Sequence, residues 1–253
     1  MSMDYNEFLK TKEFTHVAAG FECGNLPYPL FDYQEPIVRW ALRRGKAAIF
    51  ADTGLGKTIM QLAWADQVAK YTGGPVIVLA PLAVSNQTIE EGRKYGIEVE
   101  RANPGAPMFG PHIVITNYEQ LHKFDPDVFQ GIVLDESSIL KGMDGRRRKE
   151  ITEFGVGIPY RLSCTATPSP NDFMELGTQA QFLGIMSQTE MLAMFFIHDG
   201  SDTSKWRLKG HGQKKFFEWL ATWSVVIRSP ADLGFDSSKH DLPPIEYHSH
   251  VVE

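Results

Sequence analysis

Short apolar runs alternate with longer amphipathic ones through the middle of the chain. Ala47-Ala48-Ile49-Phe50, Val76-Ile77-Val78-Leu79-Ala80, His112-Ile113-Val114-Ile115 and Ile132-Val133-Leu134 each lead into a polar or glycine-containing turn. Such runs predict buried strands, and Tyr160-Arg161-Leu162-Ser163 predicts a fifth. Between them, Ile59 to Tyr71 carries Leu62, Ala63 and Ala69 at helical spacing and ends at Gly73-Gly74-Pro75, a helix stop. Strands and helices in alternation predict an α/β protein, a doubly wound parallel sheet with helices on both faces.

Beyond Pro170 the strand signal fades. Asn171 to Leu183 and Gln213 to Trp223 predict helices with aromatic faces. The expected organisation is therefore a lobe over residues 1–170 and a C-terminal helical protrusion over 171–230 that returns to it. Residues 231–253, with Gly234, Pro243-Pro244 and the alternating Ile245-Glu246-Tyr247-His248, predict a connector toward a further lobe. Trp206, Phe216, Phe217, Trp219 and Trp223 could stack on bases, but aromatics at helical spacing predict core.

Composition narrows the classes. The 253 residues, 43% hydrophobic and 22% charged, suit one large folded domain or one domain with an insertion. No apolar run approaches the roughly 20 residues of a membrane span. The start, Met1-Ser2-Met3-Asp4-Tyr5-Asn6-Glu7, is unlike a signal peptide, so a cytoplasmic, monomeric protein is expected, of a size that suits a bacterium or phage. Cys23 and Cys164 are far apart and without metal-ligand spacing, which argues against a disulfide scaffold or a zinc site. A net charge of −6 confines any nucleic-acid contact to local basic spots. Candidates are Arg43, Arg44 and Lys46; Arg146-Arg147-Arg148-Lys149, read first as a solvated face; and Lys205, Arg207, Lys209, Lys214 and Lys215.

The strongest chemical signal is Ala51-Asp52-Thr53-Gly54-Leu55-Gly56-Lys57-Thr58. It follows a predicted strand and precedes a predicted helix, the setting of a phosphate-binding loop. Glycines let successive N–H groups face an anion at the helix N-terminus, so Thr53, Gly54, Leu55, Gly56, Lys57, Thr58 and Ile59 are candidate phosphate ligands. Lys57 supplies a point charge and Thr58 a hydroxyl for magnesium. Ala51 stands where a strict loop has glycine. The second signal is Val133-Leu134-Asp135-Glu136, an apolar strand ending in two carboxylates. Asp135 is a candidate ligand of hydrated Mg2+, and Glu136 a candidate to orient or deprotonate an attacking water.

Together these pieces resemble superfamily 2 helicases. Asp135-Glu136-Ser137-Ser138 resembles their Asp-Glu box, and Leu162-Ser163-Cys164-Thr165-Ala166-Thr167-Pro168 their third motif. Phe31-Asp32-Tyr33-Gln34 is similar to the adenine-reading glutamine motif. Leu79 to Gln87 and Ile115-Thr116-Asn117-Tyr118-Glu119 are similar to motifs that touch the nucleic-acid backbone. Within the superfamily, Tyr160-Arg161-Leu162, Thr167 to Asp172 and Glu175-Leu176 look most like Swi/Snf-type translocases. The resemblance covers about residues 28 to 183. It implies a P-loop, RecA-like lobe that binds ATP and Mg2+, with Gln34 reading adenine, although Asp32 could instead cap a helix. It implies that Pro81, Ser85, Asn86, Thr116 and Tyr118 contact sugar and phosphate of duplex DNA, although Ser85 could merely cap a helix, and that Thr165 and Thr167 couple nucleotide state to that grip. Ser137-Ser138 and Cys164-Thr165-Ala166-Thr167 depart from the class pattern at the coupling positions. The later motifs of a second lobe, with its arginine finger, are missing, so the chain is expected to bind ATP weakly and turn over slowly or not at all. A strand-separating DNA or RNA helicase or a restriction-enzyme motor is the alternative, and a non-catalytic nucleotide-binding scaffold is a third reading.

Overall fold

The computed structural model describes residues 19–142, 145–169, 172–199 and 202–238; of the connector expected over residues 231–253, the part beyond residue 238 lies outside them. In chain order the first half runs α1 (Gln34–Arg44), β1 (Lys46–Ala51), α2 (Lys57–Thr72), β2 (Val76–Leu79), α3 (Ser85–Lys94), β3 (Val99–Arg101), β4 (Ile113–Thr116) and β5 (Gly131–Asp135). The second half runs α4 (Ile139–Gly142), α5 (Gly145–Gly155), β6 (Tyr160–Thr165), α6 (Leu176–Leu183), α7 (Gln188–Phe195), β7 (Phe196–Asp199), β8 (Asp202–Leu208), α8 (Gln213–Trp223) and β9 (Ser224–Ile227). One sheet has the order β3-β4-β2-β5-β6-β1-β9, with every pairing parallel.

The two faces of that sheet explain the continuous apolar runs. In β1, Ala47, Ile49 and Ala51 join the core under α1, α2 and α3, while Ala48 and Phe50 join the core under α5, α6, α7 and α8. A strand covered on both sides has no polar face to alternate with. Helix α2 is buried through Ile59, Met60, Gln61, Leu62, Ala63, Trp64 and Ala65, so the helix behind the phosphate loop is central and held on nearly all sides.

Three features of the segment after β6 were not legible as strands. β9 pairs in parallel with β1, Ala48 opposite Ser224 through Ala51 opposite Ile227. β7 and β8 form a separate antiparallel pair. β9 follows α8, and β7 follows α7, with no glycine or proline between them to mark where helix gives way to strand. The expected helical protrusion therefore also holds a hairpin and returns as a strand of the sheet. Its aromatics are core: Phe216, Trp219 and Trp223 are buried, and Trp223 meets Phe50 edge-on at 6.1 Å between centroids. Phe217 is the exception, exposed beside Phe173, and Trp206 is half-buried against His198.

Arg161 fastens this second helical layer. It sits in β6, 5% exposed, and its guanidinium donates to the carbonyls of Val156 (2.6 Å), Ile158 (2.9 Å) and Phe182 (2.9 Å). Two of these carbonyls lie at the ends of α5 and α6, where helix dipoles favour a cation. Replacing Arg161 by Met orphans all three acceptors. The expected loss is about 2–4 kcal/mol of unfolding free energy in urea; a loss under about 0.5 kcal/mol, the range of an ordinary surface change, would contradict this assignment.

Candidate active site

β5, β6 and β1 are neighbours in the sheet, and all end on the same edge. The chain leaves β1 for β2, and β5 and β6 later fill the gap between them. That reversal of strand order opens a crevice beyond the carboxyl ends, the usual ligand site of an open α/β sheet. Into it project the loop after β1, Asp135 at the end of β5 and Thr165 at the end of β6.

The loop is shaped by two glycines at positive φ, Gly54 at 82° and Gly56 at 69°, which side-chain-bearing residues rarely adopt. A Cβ at Gly56 would also lie 2.4 Å from Gln34 Nε2. Ala51, where a strict loop has glycine, is the fully buried last residue of β1, so its methyl faces the core and leaves the loop unobstructed. The Asp52 N–H donates to the Ile227 carbonyl at 3.0 Å, anchoring the loop to β9. Lys57 begins α2, and its ammonium lies on the carbonyls of Ala51 (2.9 Å) and Asp52 (3.2 Å), over the loop's opening.

Gln34 is brought to this loop. It is 1% exposed; its Nε2 donates to the Leu55 carbonyl at 3.0 Å, and its Oε1 accepts from the Phe31 N–H at 2.9 Å. The Tyr33 hydroxyl donates to the same Leu55 carbonyl at 3.0 Å. The amide thus braces the loop from behind through Nε2, while Oε1 ties it to the approach to α1. Asp32 does not cap α1, whose cap residue is Tyr33 without a side-chain bond.

Asp135 and Glu136 stand across from Lys57. Asp135 is 6% exposed, and its carboxyl is pushed up to about 6 by burial and then by the Glu136 charge. Gln61, one turn after Lys57 on α2, pulls the other way, although neither of its own amide atoms meets a well-formed hydrogen bond. Two carboxylates crowded into one dry crevice form a place for a cation. The Thr58 hydroxyl, half-buried and without a hydrogen bond among the described residues, fits as a magnesium ligand beside Asp135 and phosphate oxygens. Glu136 is the one non-glycine at positive φ among the described residues, 51°, at a cost of about 1–2 kcal/mol. That turn aims its carboxylate toward Thr165, whose hydroxyl is 3.4 Å from Glu136 Oε2 and accepts from the Thr167 N–H at 3.1 Å.

The residues resembling nucleic-acid contacts divide. Asn86 is exposed and Pro81 half-buried. Ser85 is 1% exposed and donates to the Pro81 carbonyl at 3.3 Å, so its hydroxyl closes the turn into α3. Thr116 is buried, and Tyr118, also buried, donates to the Asp135 carbonyl at 2.6 Å. Tyr118 thus steadies the end of β5. Not singled out in the sequence were Gln61, legible only as a polar residue four after Lys57, and Arg101, which donates to the Asn86 amide oxygen from a three-residue strand too short to read.

Burial of Asp135 has a measurable consequence. The folded protein holds that proton up to about pH 6, the unfolded chain only to the ordinary 3.8. This group's contribution to stability therefore declines as pH rises from 4 through 6 and is level above. In Asp135→Asn that decline disappears. Urea unfolding of variant and parent should show the variant's relative stability rising between pH 4 and pH 7 by up to about 3 kcal/mol; a difference independent of pH would contradict it.

Comparison with known proteins agrees with this geometry. A model of the DEAD/DEAH box helicase family matches residues 31–176, more than half of the chain. No curated protein matches it. Among solved structures, it resembles the SWI2/SNF2 ATPase core domain of Sulfolobus solfataricus (TM-score 0.64, 22% identity, covering 92% of this chain and 48% of that one). The same core in complex with double-stranded DNA gives a TM-score of 0.62 at 21% identity, covering 85% and 47%. The UvsW helicase of bacteriophage T4 gives 0.50 at 13% identity, covering 74% and 67%. These likenesses establish a shared RecA-like helicase fold, and the chain spans about half the length of the SWI2/SNF2 cores it matches. No helix among the described residues is long and apolar enough to cross a membrane. By the match that spans its phosphate loop and both carboxylates, the chain belongs to the DEAD/DEAH box helicase family and is a helicase-like ATPase domain of superfamily 2.

Proposed function

We propose that this chain is the ATP-binding lobe of a translocase that couples ATP hydrolysis to movement along duplex DNA. The observation that carries the proposal is the convergence of Lys57, Asp135 and Glu136 at the carboxyl edge of the sheet, beyond β1 and β5. Lys57 neutralises the β and γ phosphates, and amides of residues 53–59 cradle them. Thr58 and Asp135 would hold magnesium, which would supply positive charge to offset the charge that develops during phosphoryl transfer. Glu136 orients the attacking water. The likeness to a SWI2/SNF2 ATPase core in complex with double-stranded DNA favours duplex over single strands, with Asn86 and its partner Arg101 meeting the backbone. Because the chain spans about half of such cores, we assign the arginine that completes charge neutralisation to a second lobe.

ATP hydrolysis by this chain alone is accordingly slow and little changed by duplex DNA. Brisk turnover that DNA accelerates strongly, and that Glu136→Gln abolishes, would mean the lobe is catalytically self-sufficient. Binding to labelled duplexes, read by fluorescence anisotropy, should not depend on sequence and should weaken about tenfold or more between 50 and 200 mM salt. The pair Asn86→Ala with Arg101→Ala should lower the affinity several-fold at low salt. A clear preference for one sequence, or for single strands over duplex, would contradict translocation on duplex DNA; the likeness to UvsW makes strand separation the second reading.

A further inference from the structure

We propose that Gln179 is a positioning residue for the Asp135-Glu136 turn, tying it to helix α6 so that the nucleotide site and the helical layer behind it move together. The inference rests on the ATPase reading above. Gln179 is 1% exposed in the middle of α6, among Leu176, Ala180, Phe182 and Leu183. Its Nε2 donates to the Ser137 carbonyl at 2.9 Å across 42 residues of sequence. The same carbonyl accepts from the Leu140 N–H at 3.1 Å, and the Ser137 N–H donates to the Cys164 carbonyl at 2.9 Å. The residue that follows Glu136 is thus gripped on one side by the end of β6 and on the other by α6.

Packing alone does not account for a glutamine here. An amide in an apolar layer is unfavourable unless both its ends are paired, and among the described residues Gln179 Oε1 has no partner, nor have the hydroxyls of Ser137 and Ser163. Leucine or methionine would fill the same space without an orphaned acceptor. What glutamine adds is the donor to Ser137. Glu136, strained at positive φ, is the residue such a grip stabilises, since a turn that local preference disfavours must be held from outside. Ser138 makes no side-chain hydrogen bond among the described residues, so the tie runs through the Ser137 backbone. From α6 the chain passes through α7 to the β7–β8 hairpin, with α6 packed on α7 and α7 on β7. A shift of the carboxylate turn is thereby carried to the β7–β8 hairpin, far in sequence from the phosphate loop.

Hydrogen exchange of the whole chain, wild type and Gln179→Met, with and without saturating magnesium and a non-hydrolysable ATP analogue, tests the tie. Methionine keeps the volume and removes the donor. Without nucleotide, the amides of Ile139 and Leu140 should exchange about tenfold faster in the variant, the loss of one net hydrogen bond, while the melting temperature changes little. With nucleotide, the wild type should gain protection both in 135–140 and in α6, and the variant only in 135–140. Gln179→Leu, which also removes the donor without burying a charge, should behave like methionine. An α6 response equal in wild type and variants overturns the proposal. So does a variant that melts early with faster exchange throughout, because Gln179 is then a packing residue. Absence of any Lys57-dependent nucleotide binding in the wild type overturns the ATPase reading itself, and is seen before the variants are compared.

Discussion

A carboxylate taken out of water resists ionisation, and one placed beside a second carboxylate resists it more. Asp135 is in both positions, at the end of a strand whose every residue is buried. The surroundings read as the means of keeping it there. β5 is paired on both sides, with β2 and with β6. Tyr118 holds the Asp135 carbonyl from below, the Glu136 N–H donates to Asp135 Oδ1 at 3.1 Å, and α2 brings Lys57 and Gln61 to face it. A group so costly to bury is a stability liability, of the kind retained where a cation or a reaction needs it.

The phosphate loop is held by the same logic, from elements far away in sequence. Gln34 and Tyr33 converge on the Leu55 carbonyl from α1 and its approach, and β9 takes the Asp52 N–H. Neither attachment draws on the N–H groups of Gly54, Gly56, Lys57 or Thr58. They also join the first described helix and the last strand of the sheet to one short loop between β1 and α2, so the two ends of the fold meet at the site.

Much of this was legible in the sequence because backbone geometry and chemistry coincide there. Gly54 and Gly56 are needed for positive φ, Lys57 for charge, and Val133-Leu134-Asp135-Glu136 for a strand that ends in carboxylates. The five apolar runs became β1, β2, β4, β5 and β6, with ends moved by a residue or two. What escaped has physical reasons. β3 buries only Val99 and is three residues long. β9 is four residues directly after a helix, and its place is fixed by pairing with β1 rather than by its own preference. The roles of Gln34, Ser85 and Tyr118 depend on where each hydroxyl or amide points, which spacing along the chain does not encode. Gln179 is a single polar residue on an apolar helix, and only the carbonyl it meets gives it meaning.

The central claim is that the crevice between the phosphate loop and Asp135 binds a magnesium nucleotide. Titration of a fluorescent ATP analogue into the chain, with magnesium or with chelator, and into Lys57→Ala, tests it directly. The account predicts saturable binding that needs magnesium and weakens at least about tenfold in the variant, the loss of one charge-assisted contact to phosphate. Binding equal in parent and variant, or indifferent to magnesium, would contradict it.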